Sequence, residues 1–324
     1  MKFFTSFLFS LLLFSIANAQ ESAQTGIDKA DEKPKYDVSF NIKPLVYHIY
    51  RFTETTKVKR VFEDETINEY EKSVTHWFTV FAPDPKNEEG FLLIEIKTDS
   101  MKYDLNAANM KVSYNTTNYD MDMPLNYMDF FTDYIQYGQS FNFLYSPYGD
   151  VARTYGEKLE AEKRDYSKTH DLVKRSQILY ALSEEKLKSS FDVPKSIYPP
   201  FEVTKDTSWE SESQFFVCGV PLNGKLINTF DGYSKNEYHI STKIDSLTLN
   251  SPIDNVILPD LDKNSKITSA VATGELKADL NTGGNINYLR VNLKALLKGE
   301  LGNYKFNQVV ETTQTCDLLG KFEY

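Results

Sequence analysis

Hydrophobic and polar residues alternate with period two through much of this chain. Leu92, Ile94 and Ile96 alternate with Leu93, Glu95 and Lys97, and Tyr238, Ile240, Thr242 and Ile244 alternate with His239, Ser241, Lys243 and Asp245. Leu289, Val291, Leu293 and Ala295 interleave with Arg290, Asn292 and Lys294, while Tyr304, Phe306 and Val310 fall on one parity of a last long run. Each run puts apolar side chains on one face of a β-strand and polar ones on the other. From Val74 to Phe81 neither parity is polar, so both faces of that strand need cover. Turn-forming segments separate the runs: Ser146–Asp150 (SPYGD), Pro221–Gly224 (PLNG) and Asn281–Asn285 (NTGGN). Strands joined by such short turns must be antiparallel.

The pattern changes between Glu157 and Phe191. Glu160/Arg164, Asp171/Arg175 and Glu184/Lys188 are i,i+4 pairs in the favourable order. Leu172, Val173, Leu179, Tyr180, Leu187 and Phe191 supply an apolar stripe, and Pro194, Pro199 and Pro200 end the helical stretch. The order strands, helices, strands predicts an α+β fold: a long, curved, half-barrel-like antiparallel sheet with a central helical insert at about residues 157–193 packed on one face. Two β-lobes flanking the insert are the alternative. A single helical stripe covers only part of a long sheet, so the layout also predicts an enclosed apolar cavity of at least ~300 Å³. Trp209, just after the proline break, is expected in the core.

The first residues carry a different pattern. Lys2, the apolar run Phe7–Ile16 and the small residues of Ala17-Asn18-Ala19 form the three parts of a secretory signal peptide over residues 1–19. Residues 20–36 are charged and small, too poor in apolar surface to repay ordering, and read as a flexible spacer. Residues 37–324 then form a single β-rich domain. Export places the chain in the periplasm or outside the cell.

Composition narrows the partners. Loss of Lys2 takes the formal charge from −10 to −11, which disfavours nucleic acid and anionic membrane surfaces. No segment after the leader reaches the ~18 apolar residues of a transmembrane helix. The 21 tyrosines and 22 phenylalanines suit a sheet core, and equally an aromatic wall against a lipid or other apolar ligand. The two cysteines, Cys218 and Cys316, are a candidate disulfide in an oxidising compartment, or two buried thiols.

Catalytic patterns are missing: there is no G-x-S-x-G, H-E-x-x-H, P-loop or Rossmann fingerprint. His48, His76, His170 and His239 are far apart in sequence, so no histidine pair has ligand spacing. Asp260–Asn264 (DLDKN) has alternating oxygens but Ser265 and Val271 where a calcium loop needs glycine and glutamate. The sequence therefore assigns no catalytic residue, no metal ligand and no cofactor. Its functional reading is a non-catalytic exported envelope protein that binds or carries an apolar ligand. A structural or surface-interaction protein is the alternative, and a hydrolase with an unlocated carboxylate pair the second.

From Phe141 to Leu318 the chain resembles a family of uncharacterised exported bacterial proteins, many of them lipoproteins. The resemblance rests on the Ser146–Asp150 turn, the helical insert, the Phe201–Trp209 segment (FEVTKDTSW) and the Gly274–Gly284 hairpin (GELKADLNTGG). It implies an exported β-rich protein and no activity. Asp99-Ser100-Met101 and Asp245-Ser246-Leu247 resemble the sequon some exported bacterial proteins use for O-glycosylation, which makes Ser100 and Ser246 candidate acceptors at strand ends.

The leader yields a direct test. N-terminal sequencing of the exported protein is expected to start at Gln20, and a chain still carrying Phe7–Ile16 would contradict it.

Overall fold

The computed structural model describes residues 33–118, 124, 127–134, 137–155, 157–168, 175, 179, 182–184, 187 and 197–323. The leader and most of the spacer lie outside them. Lys35–Tyr324 forms one compact unit.

Among the described residues, thirteen antiparallel strands make a single sheet. In chain order they are β1 (Val46–Phe62), β2 (Ile67–Phe81), β3 (Leu92–Ala107), β4 (Met110–Asn115), β5 (Ser140–Tyr145), β6 (Val151–Tyr155), β7 (Ser208–Val217), β8 (Val220–Ser234), β9 (Glu237–Thr248), β10 (Ile253–Leu258), β11 (Lys263–Asn281), β12 (Ile286–Leu301) and β13 (Tyr304–Glu323). Their spatial order is β6-β5-β3-β2-β1-β13-β12-β11-β9-β8-β7, with β4 beside β3 and β10 beside β11. The first and last strands meet in the middle, where β13 pairs with β1 from Val46↔Glu323 to Phe62↔Phe306. The two described helices are short: α1 (Met128–Tyr134) and α2 (Glu157–Ser167).

This corrects the α+β expectation: the protein is nearly all β, with one large antiparallel sheet in place of a sheet-plus-helix layer. Helix-forming residues do give α2, but its sequence EKLEAEKRDYS is dominated by charge and lacks the apolar face a covering layer needs. The remainder of the predicted insert lies mostly outside the described residues, which include buried Leu182 and Leu187. Among the described residues, the strands themselves supply most of the cover for the sheet's apolar face. Along β1 the even positions from Val46 to Arg60 face inward, and the strands on both sides continue that face. Tyr70 on β2 comes within 3.9 Å of Cys218 in the β7–β8 turn. In a flat sheet those two places would be about 30 Å apart at ~4.8 Å per strand.

The curl is fastened at both ends. Near the end of β1, fully buried Arg60 donates two 2.8 Å hydrogen bonds to the carboxylate of Asp260 and one of 2.8 Å to Gln308 Oε1. Its guanidinium lies 5.4 Å from the Phe306 ring centroid and 6.0 Å from that of Tyr70. At the start of β1, fully buried His48 donates from Nδ1 to Val46 O and accepts at Nε2 from the Asn285 amide at 3.2 Å. Asn285 belongs to the β11–β12 turn, which forms where the sequence places it, with Asn281 Oδ1 accepting from the backbone N–H groups of Gly283 and Asn285.

Segment 36–42 closes the gap between the free edges, β6 and β7. Tyr36 pairs with Val203, just ahead of β7, and Phe40 N–H donates to Pro147 O in the β5–β6 turn. Val38, Phe40 and Ile42 are buried, so the packed core has begun by Val38. Ser39 O packs so tightly on Gly284 that any Cβ would overlap it. Tyr198 donates to Gly284 O at 2.7 Å. Trp209 is buried, as expected.

One predicted turn moves. Asn223-Gly224 sits inside β8, and the hairpin reverses at Cys218-Gly219, both with positive φ. Gly224 is needed for proximity, because Ser246 O lies where its Cβ would project.

Two stability predictions follow from the fastenings. Asp260→Ala should destabilise the protein by about 3–5 kcal/mol in urea unfolding, because it leaves Arg60 charged and unpaired in the core, whereas Arg60→Met with Asp260→Leu should recover most of that loss. An unchanged midpoint in the single variant would contradict the pairing. Burial, with Lys321 nearby, lowers the His48 pKa to about 4. The unfolded chain therefore binds more protons than the fold below about pH 6.5, and stability falls as pH drops towards 4. The loss from pH 7.5 to 5 should be on the order of 2 kcal/mol in the native sequence and clearly smaller in His48→Gln.

Candidate functional site

Between the two fastened ends, the concave face changes character. Phe52, Glu54, His76, Phe78, Gln314 and Leu318 all point into the curl, yet they are only half-buried, while their neighbours Val46, Tyr50, Val58, Val74 and Val80 are buried. Register explains why they cluster: Phe52 lies opposite His76 on β2 and Cys316 on β13, Glu54 opposite Val74 and Gln314, and Tyr50 opposite Phe78 and Leu318. Tyr50 and Phe78 stack at 5.6 Å. The result is a strip with apolar rings at one end and a carboxylate at the other.

Its polar end is held by neighbours. Glu54 accepts from Gln314 Nε2 at 2.7 Å, and Thr56 pairs with Thr312 at 3.2 Å. Further along, Lys72 lies 2.7 Å from Asp129 and 3.1 Å from Asp133, both on α1. Burial works against the Lys72 charge, but the two carboxylates outweigh it and hold its pKa well above the usual lysine range. Tyr103 donates to Asp129 at 2.6 Å. The α1 helix is thereby pinned to β2 and β3 by an ion-pair network, together with fully buried Phe130, whose ring packs edge-on against Tyr103 and Tyr114.

On the outer face an open depression of about 580 Å³ lies among Lys243, Glu275, Asn292, Lys294 and Glu311, where Gly274 leaves a gap in the side-chain layer.

The two cysteines are free thiols in this structure. Cys316 sits opposite Phe52, and Cys218 meets Tyr70, which is opposite Val58. Six residues of β1 separate those positions, about 20 Å at ~3.3 Å per residue, so no disulfide joins them. Burial pushes both thiols up to about 12, which keeps them protonated.

Ser100 lies midway along β3 and Ser246 two residues before the end of β9, in matching surroundings. In each case a β-bulge carries the preceding aspartate: Asp99 between Thr98 and Ser100, Asp245 between Ile244 and Ser246. Each aspartate pairs with a lysine two residues earlier, Lys97 at 3.4 Å and Lys243 at 2.7 Å. The following Met101 and Leu247 are fully buried, while Ser246 is exposed and Ser100 half-buried. Asp260 of the calcium-like loop is spent on Arg60.

The β2 part of the strip was legible, since His76 and Phe78 belong to the doubly apolar run 74–81. Phe52 and Glu54 were missed, although Val46, His48, Tyr50 and Val58 mark the same parity.

No curated protein matches the sequence. Among solved structures, lipovitellin, described for its lipid–protein interactions, is 11% identical with a TM-score of 0.46 over 87% of this chain. This chain spans only 26% of that one. OpdQ of Pseudomonas aeruginosa is 9% identical with a TM-score of 0.19, covering 86% of this chain and 100% of its own. Neither superposition is close enough to assign a shared fold. A family model does match, from the loop before β3 to the start of β12, over residues 89–287. The chain belongs to the family of unknown function DUF6263.

Proposed function

We propose that this is an exported, non-catalytic envelope protein that binds an apolar ligand, such as a lipid acyl chain, on its concave face. One observation carries the reading: Phe52, Phe78 and Leu318 face inward but are not packed to completion, midway between two ends that are tightly closed. Protein interiors fill to near crystal density, so inward rings left half-buried mark room for another molecule. Glu54, Gln314 and His76 offer polar contacts to a ligand's head beside an apolar wall for its body. Export is supported by the leader pattern, and the exposure of Ser246 on the outer face suits a glycan acceptor.

The surface-interaction reading has its own support. Tyr47, Phe81 and Phe322 stack across β2, β1 and β13 at 4.4 and 4.9 Å on the outer face, beside exposed Leu45 and Leu319.

Native mass spectrometry of the exported protein, with titration of a fluorescent fatty acid, separates the two. The ligand reading expects co-purified lipid and saturable probe binding that falls at least tenfold in Phe78→Asp with the fold intact. Bare protein and no saturable binding would overturn it and leave the outer aromatic ladder as the better functional surface.

A further inference from the structure

The outer face carries a side-chain cluster that no sequence pattern revealed. Glu237 and His239 are alternate residues of β9, so both project from the same face. Asp279 on β11 is directly opposite His239. One ligand-capable atom from each of Glu237, His239 and Asp279 lies within 4.8 Å of the others. Nδ1 of His239 is 2.6 Å from Asp279 Oδ1, and Nε2 is 2.8 Å from Ser234 Oγ. Ser234 reaches there because the β8–β9 hairpin turns through Lys235 and Asn236, both with positive φ, which sets Ser234 opposite Glu237. Asn287, the extra residue where the β11–β12 register shifts, donates to Glu237 Oε1 at 2.8 Å.

We propose that Glu237, His239 and Asp279 form a binding site for a divalent transition cation of the zinc type, with water in the fourth position. Imidazole plus carboxylates is a donor set that zinc accepts, with bonds of ~2.0–2.2 Å. Tetrahedral ligands at that radius stand about 3.4 Å apart, so the ion enters by opening the 2.6 Å His239–Asp279 contact and drawing Glu237 inward. The surrounding contacts suit that role. A metal-bound imidazole commonly donates its other N–H to a fixed acceptor, and Ser234 Oγ stands ready at Nε2. Asn287 in turn holds Glu237. The side chains of His239 and Asp279 are 29% and 38% exposed, which leaves an entry path and a place for water.

Isothermal titration of the folded protein with zinc chloride tests this. One saturable site is expected, weakened at least tenfold in His239→Asn and in Asp279→Asn, and about tenfold in Ser234→Ala, the usual scale for an outer-shell partner. All three side chains are on the outer face, and circular dichroism checks that the variants fold. A second readout is ring-nitrogen NMR of His239, in which Nδ1 should shift on zinc addition with Nε2 remaining protonated. Equal zinc binding in the native and variant proteins, or an unmoved Nδ1 resonance, would overturn the site.

Discussion

A single sheet with one apolar face has to bury that face, and among the described residues the largest surface that does so is the sheet itself. The inward parity of β1 sits at the centre of the strand order, and the strands on either side carry the same parity outward to β6 and β7. Bringing the two wings over β1 buries a contiguous core that includes Tyr103, Phe143, Phe230, Leu92 and Leu226. At ~25 cal/mol per Å² of apolar surface removed from water, such a core dominates the favourable side of folding. An uncurled sheet would expose all of it.

Hydrophobic burial is non-directional, so it does not by itself set how the wings meet. Polar contacts within the core do that. Arg60–Asp260–Gln308 and His48–Asn285 tie β1 to β13 and to the β10–β11 and β11–β12 turns, two or three strands along the sheet, and each demands a particular geometry. Their cost is desolvation, and Arg60 still has Nη2 without a hydrogen-bond partner. Between these two fixed points the core is less tightly filled, which is where the proposed ligand strip lies. The closed ends and half-buried middle are thus two consequences of the same arrangement.

Much of the strand content was legible because alternation is a local signal: β3, β9, β12 and β13 follow from residues such as Leu92–Ile96 and Leu289–Ala295. The layer architecture was not. Helix formers in residues 157–191 describe local preference, and the tertiary question of what covers the sheet depends on whether the helix has an apolar face, which EKLEAEKRDYS lacks. The Asn223-Gly224 turn failed for a related reason, since glycine there answers a close backbone approach from Ser246 that only the folded register creates. Sites assembled across strands are the least visible. His239 and Asp279 are 40 residues apart in sequence, and Arg60 and Asp260 are 200 apart, so spacing rules have nothing to detect.

The central claim is that strands far apart in the sheet order face one another across one core. Replacing Tyr70 with the photoreactive p-benzoylphenylalanine and mapping its crosslinks by mass spectrometry tests this at the contact with the β7–β8 turn. The curled sheet predicts crosslinks to residues beside Cys218, on strands that an open sheet would hold about 30 Å away. Crosslinks confined to the neighbouring strands β1 and β3 would contradict it.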